Sequence, residues 1–363
     1  LKKIVFTVTN DLSFDQRMQR ICSCLAENGY YILLVGRKLK DSKPLQNYKF
    51  HQKRLGCFFN KGLLFYIEYN IRLFVFLLKT KSDVVCAIDL DTILPVLFSS
   101  SLKSTQRVYD AHELFTEQKE IKSRPVIYKC WKWIEKFSVP KFKNGYTVNE
   151  FISNELQKLY QVQYAIVRNV PAYFSLPNKQ EQPKPYFIYQ GAVNEGRSFE
   201  TLIPALQHVN TTLRICGTGN FISETKKLTK EFNVENKVIF EGLILPKDLK
   251  IISTNAFAGI MIFEEYGLNQ VQSLANRFFD YIMAGIPQIC INFPEYKRIN
   301  DQYQIAYMIN DVKMETIANA MNKLMTDSVL YETLKQNCLK AREELNWSFE
   351  QKKLLNFYKE LLN

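Results

Sequence analysis

The feature that most constrains this chain is its rhythm. Short apolar segments alternate with helix-length amphipathic ones, and the alternation runs through the chain twice. In the first half "KKIVFTVT", "YYILLVGR", "SDVVCAIDL", "QRVYDAHEL" and "NGYTVN" read as strands, separated by "SFDQRMQRICSCLAENG", "TILPVLFSSSLK" and "RPVIYKCWKWIEKFSVPK", which have helical spacing. In the second half the strands "KPYFIYQG", "TTLRICGTG", "KVIFEGLI", "AFAGIMIF", "PQICINF" and "YQIAYMI" alternate with further helices. Strands whose partners are reached through helices must pair in parallel, with helices on both faces of the sheet. A chain of 363 residues also exceeds what one core normally holds. The expectation is an α/β protein of two parallel-sheet domains, with the polar, proline-bearing stretch 176–186 as linker.

Composition narrows the class of function. Hydrophobic content of 47% and charged content of 23% fit a soluble globular chain. The eight cysteines form no CxxC pair, and several sit in apolar runs, which fits reduced thiols of a cytoplasmic protein. Three histidines without paired Cys/His spacing argue against a structural metal. The net charge of +12 favours anionic partners, but no nucleic-acid motif accompanies it. Residues 1 to 8 read as a buried strand, not a signal peptide. The longest apolar stretch, 62–79, is broken by Glu68, Asn70 and Arg72 and flanked by Lys61, Lys79 and Lys81. It reads either as a core-packed helix or as one lying at an inner-membrane surface through 61–81.

In open α/β sheets ligands bind beyond the carboxyl ends of the strands. The loops expected there carry Asn10, Asp11, Asp15 and Arg17; Asp110, His112, Glu113 and Glu117; two glycines and Arg197 in "YQGAVNEGRS"; Gly217 and Gly219; and Glu264, Glu265 and Gly267. Each alone has a scaffold explanation, such as a helix cap or a tight turn. A full GxGxxG is absent, which disfavours a nicotinamide dehydrogenase. The helix in "SLANRFFDYIMAGIPQI" poses a sharper question, because it looks buried yet carries Asn276, Arg277 and Asp280 beside its aromatic residues. A helix-terminal ion pair is the structural alternative to a site.

The ordered set "YQGAVNEGRSFETLIPAL", "LRICGTGNF", "KVIFEGLILPKDL" and "NRFFDYIMAGIPQI" resembles the C-terminal half of GT4-family, group 1 retaining glycosyltransferases. "VTNDLSFDQRMQR" and "VYDAHELFTE" look like the N-terminal half of a bacterial subgroup. The resemblance implies a GT-B fold, two Rossmann-like domains facing across a cleft. Residues 1–175 would form the acceptor-side domain and 176–345 the nucleotide-sugar domain. Residues 346–363 would form a helix crossing back, with Trp347, Leu354, Leu355, Tyr358 and Leu362 on its buried face.

By the same resemblance Asp280 binds the nucleotide ribose, and Arg277 and Arg197 meet the diphosphate. His112 contacts the transferred sugar, so His112, Arg197 and Arg277 form the catalytic set. Gly191, Gly217, Glu265, Gly267, Leu268, Asn269, Gln272 and Asn276 complete the donor site, and Asn10, Asp11, Asp15 and Arg17 line the acceptor side. Two departures stand out. Gln272 replaces the first of two family glutamates, and Ala192 replaces the arginine of a "GR" pair. The implied reaction is front-face sugar transfer with retention and without a metal or other cofactor. The partners are a nucleotide-sugar donor and a glycan or lipid-linked acceptor of cell-surface polysaccharide synthesis. Rivals are a degenerate sugar-nucleotide-binding subunit, and an epimerase or phosphorylase on the same fold.

Overall fold

The computed structural model describes residues 1–13, 15–177, 184–265 and 267–363. The chain divides into two compact units, Leu1–Asn169 with Glu350–Asn363, and Val170–Phe349. The sequence places these divisions at 175/176 and 345/346. Residues 178–183 of the expected linker lie outside the described residues.

The first unit is built on a seven-stranded sheet: β1 (Lys3–Thr7), β2 (Tyr31–Lys38), β3 (His51–Gly56), β4 (Val84–Ile88), β5 (Gln106–Ala111), β6 (Asn144–Thr147) and β7 (Ala165–Ile166). Its order is β3-β2-β1-β4-β5-β6-β7, and every pair is parallel. Strand β3, "HQKRLG", has no apolar periodicity and escapes a reading of the sequence. It pairs on one side only, as an edge strand, and charged residues suit that place because they discourage pairing with another chain. The central strands are apolar on both faces, as sheets covered by helices on both sides must be.

The second unit has a six-stranded parallel sheet: β8 (Tyr186–Gln190), β9 (Thr212–Cys216), β10 (Val238–Gly242), β11 (Ala258–Met261), β12 (Gln288–Ile291) and β13 (Ala306–Ile309). The order is β10-β9-β8-β11-β12-β13. In each sheet the winding reverses beside the first strand, between β1 and β4 and between β8 and β11. Loops leaving the carboxyl ends of those pairs diverge, which opens a crevice where ligands bind.

The last helix, Trp347–Leu362, starts in the second unit and packs into the first from Glu350 on. Trp347, Leu354 and Tyr358 are buried, and Leu355 and Leu362 are half-buried. Tyr358 meets Phe6 of β1 edge-on at 6.0 Å and Tyr146 of β6 at 6.2 Å. Glu350 is almost wholly buried and accepts from the Arg168 backbone N–H at 2.9 Å.

The helix Gly62–Lys79 has two apolar faces. Phe65, Tyr69, Leu73 and Leu77 are buried in the first unit's core, while Leu63, Leu64, Ile67, Ile71 and Val75 are exposed. The core-packed reading of the segment holds for the first of these faces. Among the described residues no helix is long and apolar enough to cross a membrane.

Candidate active site

The helix Asn276–Met283 places residue types by periodicity. Phe278, Phe279, Tyr281 and Ile282 are buried in the second unit's core, whereas Asn276 is exposed and Asp280 half-buried at the carboxyl edge of the sheet. Arg277 is 7% exposed, and among the described residues it is held by rings and not by the ion pair considered from the sequence. Its guanidinium carbon lies 4.4 Å from the centroid of Tyr189 and 4.4 Å from that of Phe263. Nη2 donates to the Ile262 carbonyl at 3.4 Å, and Nε lies 3.3 Å from the Met261 sulfur. Cation–π contact keeps the arginine charged without neutralising it, so its positive field remains available to an anion.

Arg197 joins the same platform, with its guanidinium carbon 4.6 Å from the Phe263 centroid. The two arginines singled out in the sequence, 80 positions apart, therefore share one ring. Gly191 and Gly217 follow β8 and β9. A Cβ on Gly217 would stand 1.9 Å from the Gly191 carbonyl oxygen, so only glycine permits that approach. A Cβ on Gly191 would lie 3.7 Å from Arg277 Nη1, which puts this turn beside the arginines.

Asp280 accepts from Gln190 Nε2 at 2.8 Å, and Gln190 Oε1 accepts from Ser253 at 2.8 Å. The chain Ser253–Gln190–Asp280 orients the carboxylate. Neither Phe263, Tyr189 nor Gln190 was selected from the sequence. The signal was position, Tyr189 and Gln190 at the end of β8 and Phe263 just past β11.

The short helix Gly267–Val271 is stitched to the 191–197 loop. Gln270 donates to the Gly196 carbonyl at 3.3 Å and to that of Glu264 at 2.7 Å, and the Glu264 N–H donates to Gly196 at 3.2 Å. Glu265, Gly267 and Leu268 are exposed, with Asn269 and Gln272 half-buried in the same segment. The Gln272 N–H closes this turn on the Leu268 carbonyl at 3.0 Å.

The first unit carries a separate cluster at the ends of β1, β4 and β5. Arg17 and Asp110 form a buried pair at 3.0 Å, and Arg17 also donates to the Val167 carbonyl at 3.2 Å. His112 lies between two carboxylates, with Nδ1 3.3 Å from Asp89 and Nε2 3.1 Å from Asp110. Burial works against the imidazolium, but Asp110 and then Asp89 outweigh it and push the ring up to about 10. Arg17 Nε stands 2.9 Å from His112 Nε2. Because the protonated ring has no acceptor there, this is a like-charge approach that Asp110 bridges. Burial would likewise raise Asp110, and Arg17 and His112 hold it below its ordinary value. Asp91 is pushed up to about 7, first by burial and then by Asp89, while it accepts from Thr9 at 2.5 Å. Asp89 and Asp91, in "AIDLD", were not selected from the sequence.

The remaining acceptor-side residues mainly build their own loop. Asp15 accepts from the Met18 N–H at 3.0 Å as the helix cap, and from Asn10 Nδ2 at 2.6 Å. Asn10 and Asp11 accept from the Leu12 and Ser13 N–H groups, at 2.9 and 3.1 Å. Among the described residues no group of three or more His, Cys, Asp or Glu could hold a metal ion.

Comparisons with known proteins agree on the architecture. Residues 175–341 match the family model "Glycosyl transferases group 1". Sucrose-phosphate synthase from Thermosynechococcus elongatus superposes with TM-score 0.80 at 15% identity, covering 99% of both chains. HepE of Anabaena, solved with UDP and glucose, gives 0.75 at 11% identity over 99% of this chain and 100% of its own. WaaG, a glycosyltransferase of lipopolysaccharide biosynthesis, gives 0.71 at 15% identity over 97% and 98%. No curated protein sequence matches significantly. The chain has the GT-B fold, and residues 175–341, in its second unit, match the group 1 glycosyltransferases.

Proposed function

We propose that this protein transfers a hexose from a nucleotide diphosphate sugar, with retention, to a glycan or lipid-linked acceptor in cell-surface polysaccharide synthesis. The observation that carries the reading is the convergence of Arg197 and Arg277 on Phe263 beside Gly191, with Asp280 one helical turn from Arg277. Two cations meet a leaving diphosphate, and a carboxylate accepts from both ribose hydroxyls. HepE, a protein of the same fold, is known with UDP, which makes UDP the first base to try.

His112, a cation between two carboxylates, is unsuited to proton abstraction and suited to contacting the transferred sugar. Catalysis then rests on positioning and on electrostatic stabilisation of the leaving group, with no metal required. Full activity in excess chelator supports this, and activity lost to chelator but restored by magnesium or manganese overturns it.

The enzyme works in the cytoplasm at the inner membrane face. The exposed Leu63, Leu64, Ile67, Ile71 and Val75, flanked by Lys61 and Lys79, suit shallow insertion among anionic headgroups.

Thermal stabilisation against UDP, GDP, ADP, CMP, dTDP and their sugar conjugates tests the donor site, with Asp280→Ala and Arg277→Ala as controls. One nucleotide raising the melting point, with the rise abolished in both variants, is the expected result. A full panel without any shift removes the donor site from the reading.

A further inference from the structure

Asp89 has a backbone that folding alone does not favour. It follows β4 with φ +53° and ψ −177°, close to a region that essentially only glycine occupies. Glycine would adopt it without strain, so what aspartate adds is its carboxylate. Both oxygens of that carboxylate reach one residue. Oδ1 accepts from the His112 backbone N–H at 2.9 Å, and Oδ2 lies 3.3 Å from Nδ1 of the same ring. The Asp89 N–H in turn donates to the Asp110 carbonyl at 3.0 Å. A single strained residue at the end of β4 thus grips both backbone and side chain of a residue that follows β5.

The charged groups facing the ring are Asp89 from the end of β4, Asp110 from β5 and Arg17 from the helix Gln16–Glu27. Asp110 is shared with Arg17, so Asp89 is the carboxylate committed to His112.

We infer that Asp89 is a positioning residue that fixes the orientation of the His112 ring and holds it as a cation. The inference rests on the sugar-contacting role proposed for His112. Backbone strain is commonly retained where a functional group must be aimed, and here the aimed group is identified. Its effect passes through another side chain, as outer partners of a reacting group commonly act.

Two variants separate the clamp from a merely structural aspartate. Asp89→Gly frees the backbone and removes the carboxylate; Asp89→Asn keeps an acceptor and removes the charge. The His112 titration midpoint is followed by NMR, assigned against His112→Gln among only three histidines, beside kcat, KM and the melting temperature. The midpoint is expected to fall by about one unit or more in both variants. In Asp89→Gly kcat falls roughly a hundredfold at nearly constant KM, without a lower melting temperature, and Asp89→Asn falls between it and the wild type. An unchanged midpoint in either variant overturns the clamp, as does wild-type kcat in Asp89→Gly. If Asp89→Gly fails to fold, Asp89→Asn decides by its midpoint. A lowered midpoint in a protein that transfers no sugar from any donor leaves the clamp standing and removes the glycosyl-transfer reading.

Discussion

The guanidinium carbon of Arg277 sits 4.4 Å from the centroid of the Phe263 ring, and Arg197 comes to the same ring at 4.6 Å. Phe263 is 1% exposed and follows β11, so a core side chain doubles as the platform for the two cations of the proposed donor site. The packing that stabilises the second unit is thereby the packing that aims the charges.

Phe263→Leu retains apolar volume but removes the π-face. Nucleotide-sugar affinity should fall about fivefold to tenfold, in line with ~1 to 1.4 kcal/mol for lost cation–π contact. Isothermal titration reads the affinity, and a far-UV spectrum shows whether the fold is kept. Wild-type affinity in a folded variant would mean that the arginines do not depend on the ring.

Gln190→Ala removes the link between Ser253 and Asp280 while leaving the carboxylate. Donor affinity should drop, but by less than in Asp280→Ala, because the carboxylate loses its orientation and not its charge. The double variant should be no weaker than Asp280→Ala alone, since the two residues act as one unit. Additive losses in that cycle would separate Gln190 from the ribose.

Tyr358 is wholly buried between Phe6 and Tyr146, so Tyr358→Ala should destabilise the first unit by about 3–5 kcal/mol. Deleting residues 346–363 should lower its melting point further, because Glu350, which meets Arg168, goes as well. Unchanged melting after the deletion would falsify the crossing as a source of stability.

The charge state of His112 predicts a pH dependence. The folded ring is held up at about 10, against 6.5 for the ordinary side chain, so the folded state binds the extra proton. Its contribution is fully present below about pH 6.5 and is lost as pH rises towards about 10. Denaturant midpoints between these limits should fall less steeply for His112→Gln than for the wild type. Parallel curves would show that the ring's proton is not linked to folding.

Leu64→Glu with Ile67→Glu places charge on the exposed face of Gly62–Lys79 without touching Phe65 or Tyr69. Sedimentation with vesicles containing phosphatidylglycerol should retain the wild type and release the double variant. Equal binding of both would move the membrane contact elsewhere.

Local pattern made the helix Asn276–Met283 legible, because period 3.6 in Phe278, Tyr281 and Ile282 is set by residues adjacent in the chain. The same holds for the alternation of strands and helices, for the polar residues at the strand ends, and for the buried Trp347, Leu354 and Tyr358 of the last helix. Resemblance in the second half then pointed to Arg197, Arg277 and Asp280. The edge strand β3 was not legible, since a strand paired on one side only needs no apolar pattern.

What tertiary structure alone decided is how those side chains are held. Tyr189, Phe263 and Arg277 come from three separate segments and meet only because β8 and β11 are neighbours in the sheet. Asp89 looks like any loop aspartate until β4 lies beside β5 and brings it under His112. Sequence determines periodicity and residue type through short-range physics. Strand order, which joins residues tens of positions apart, determines which charges share a ring and which carboxylate holds the histidine.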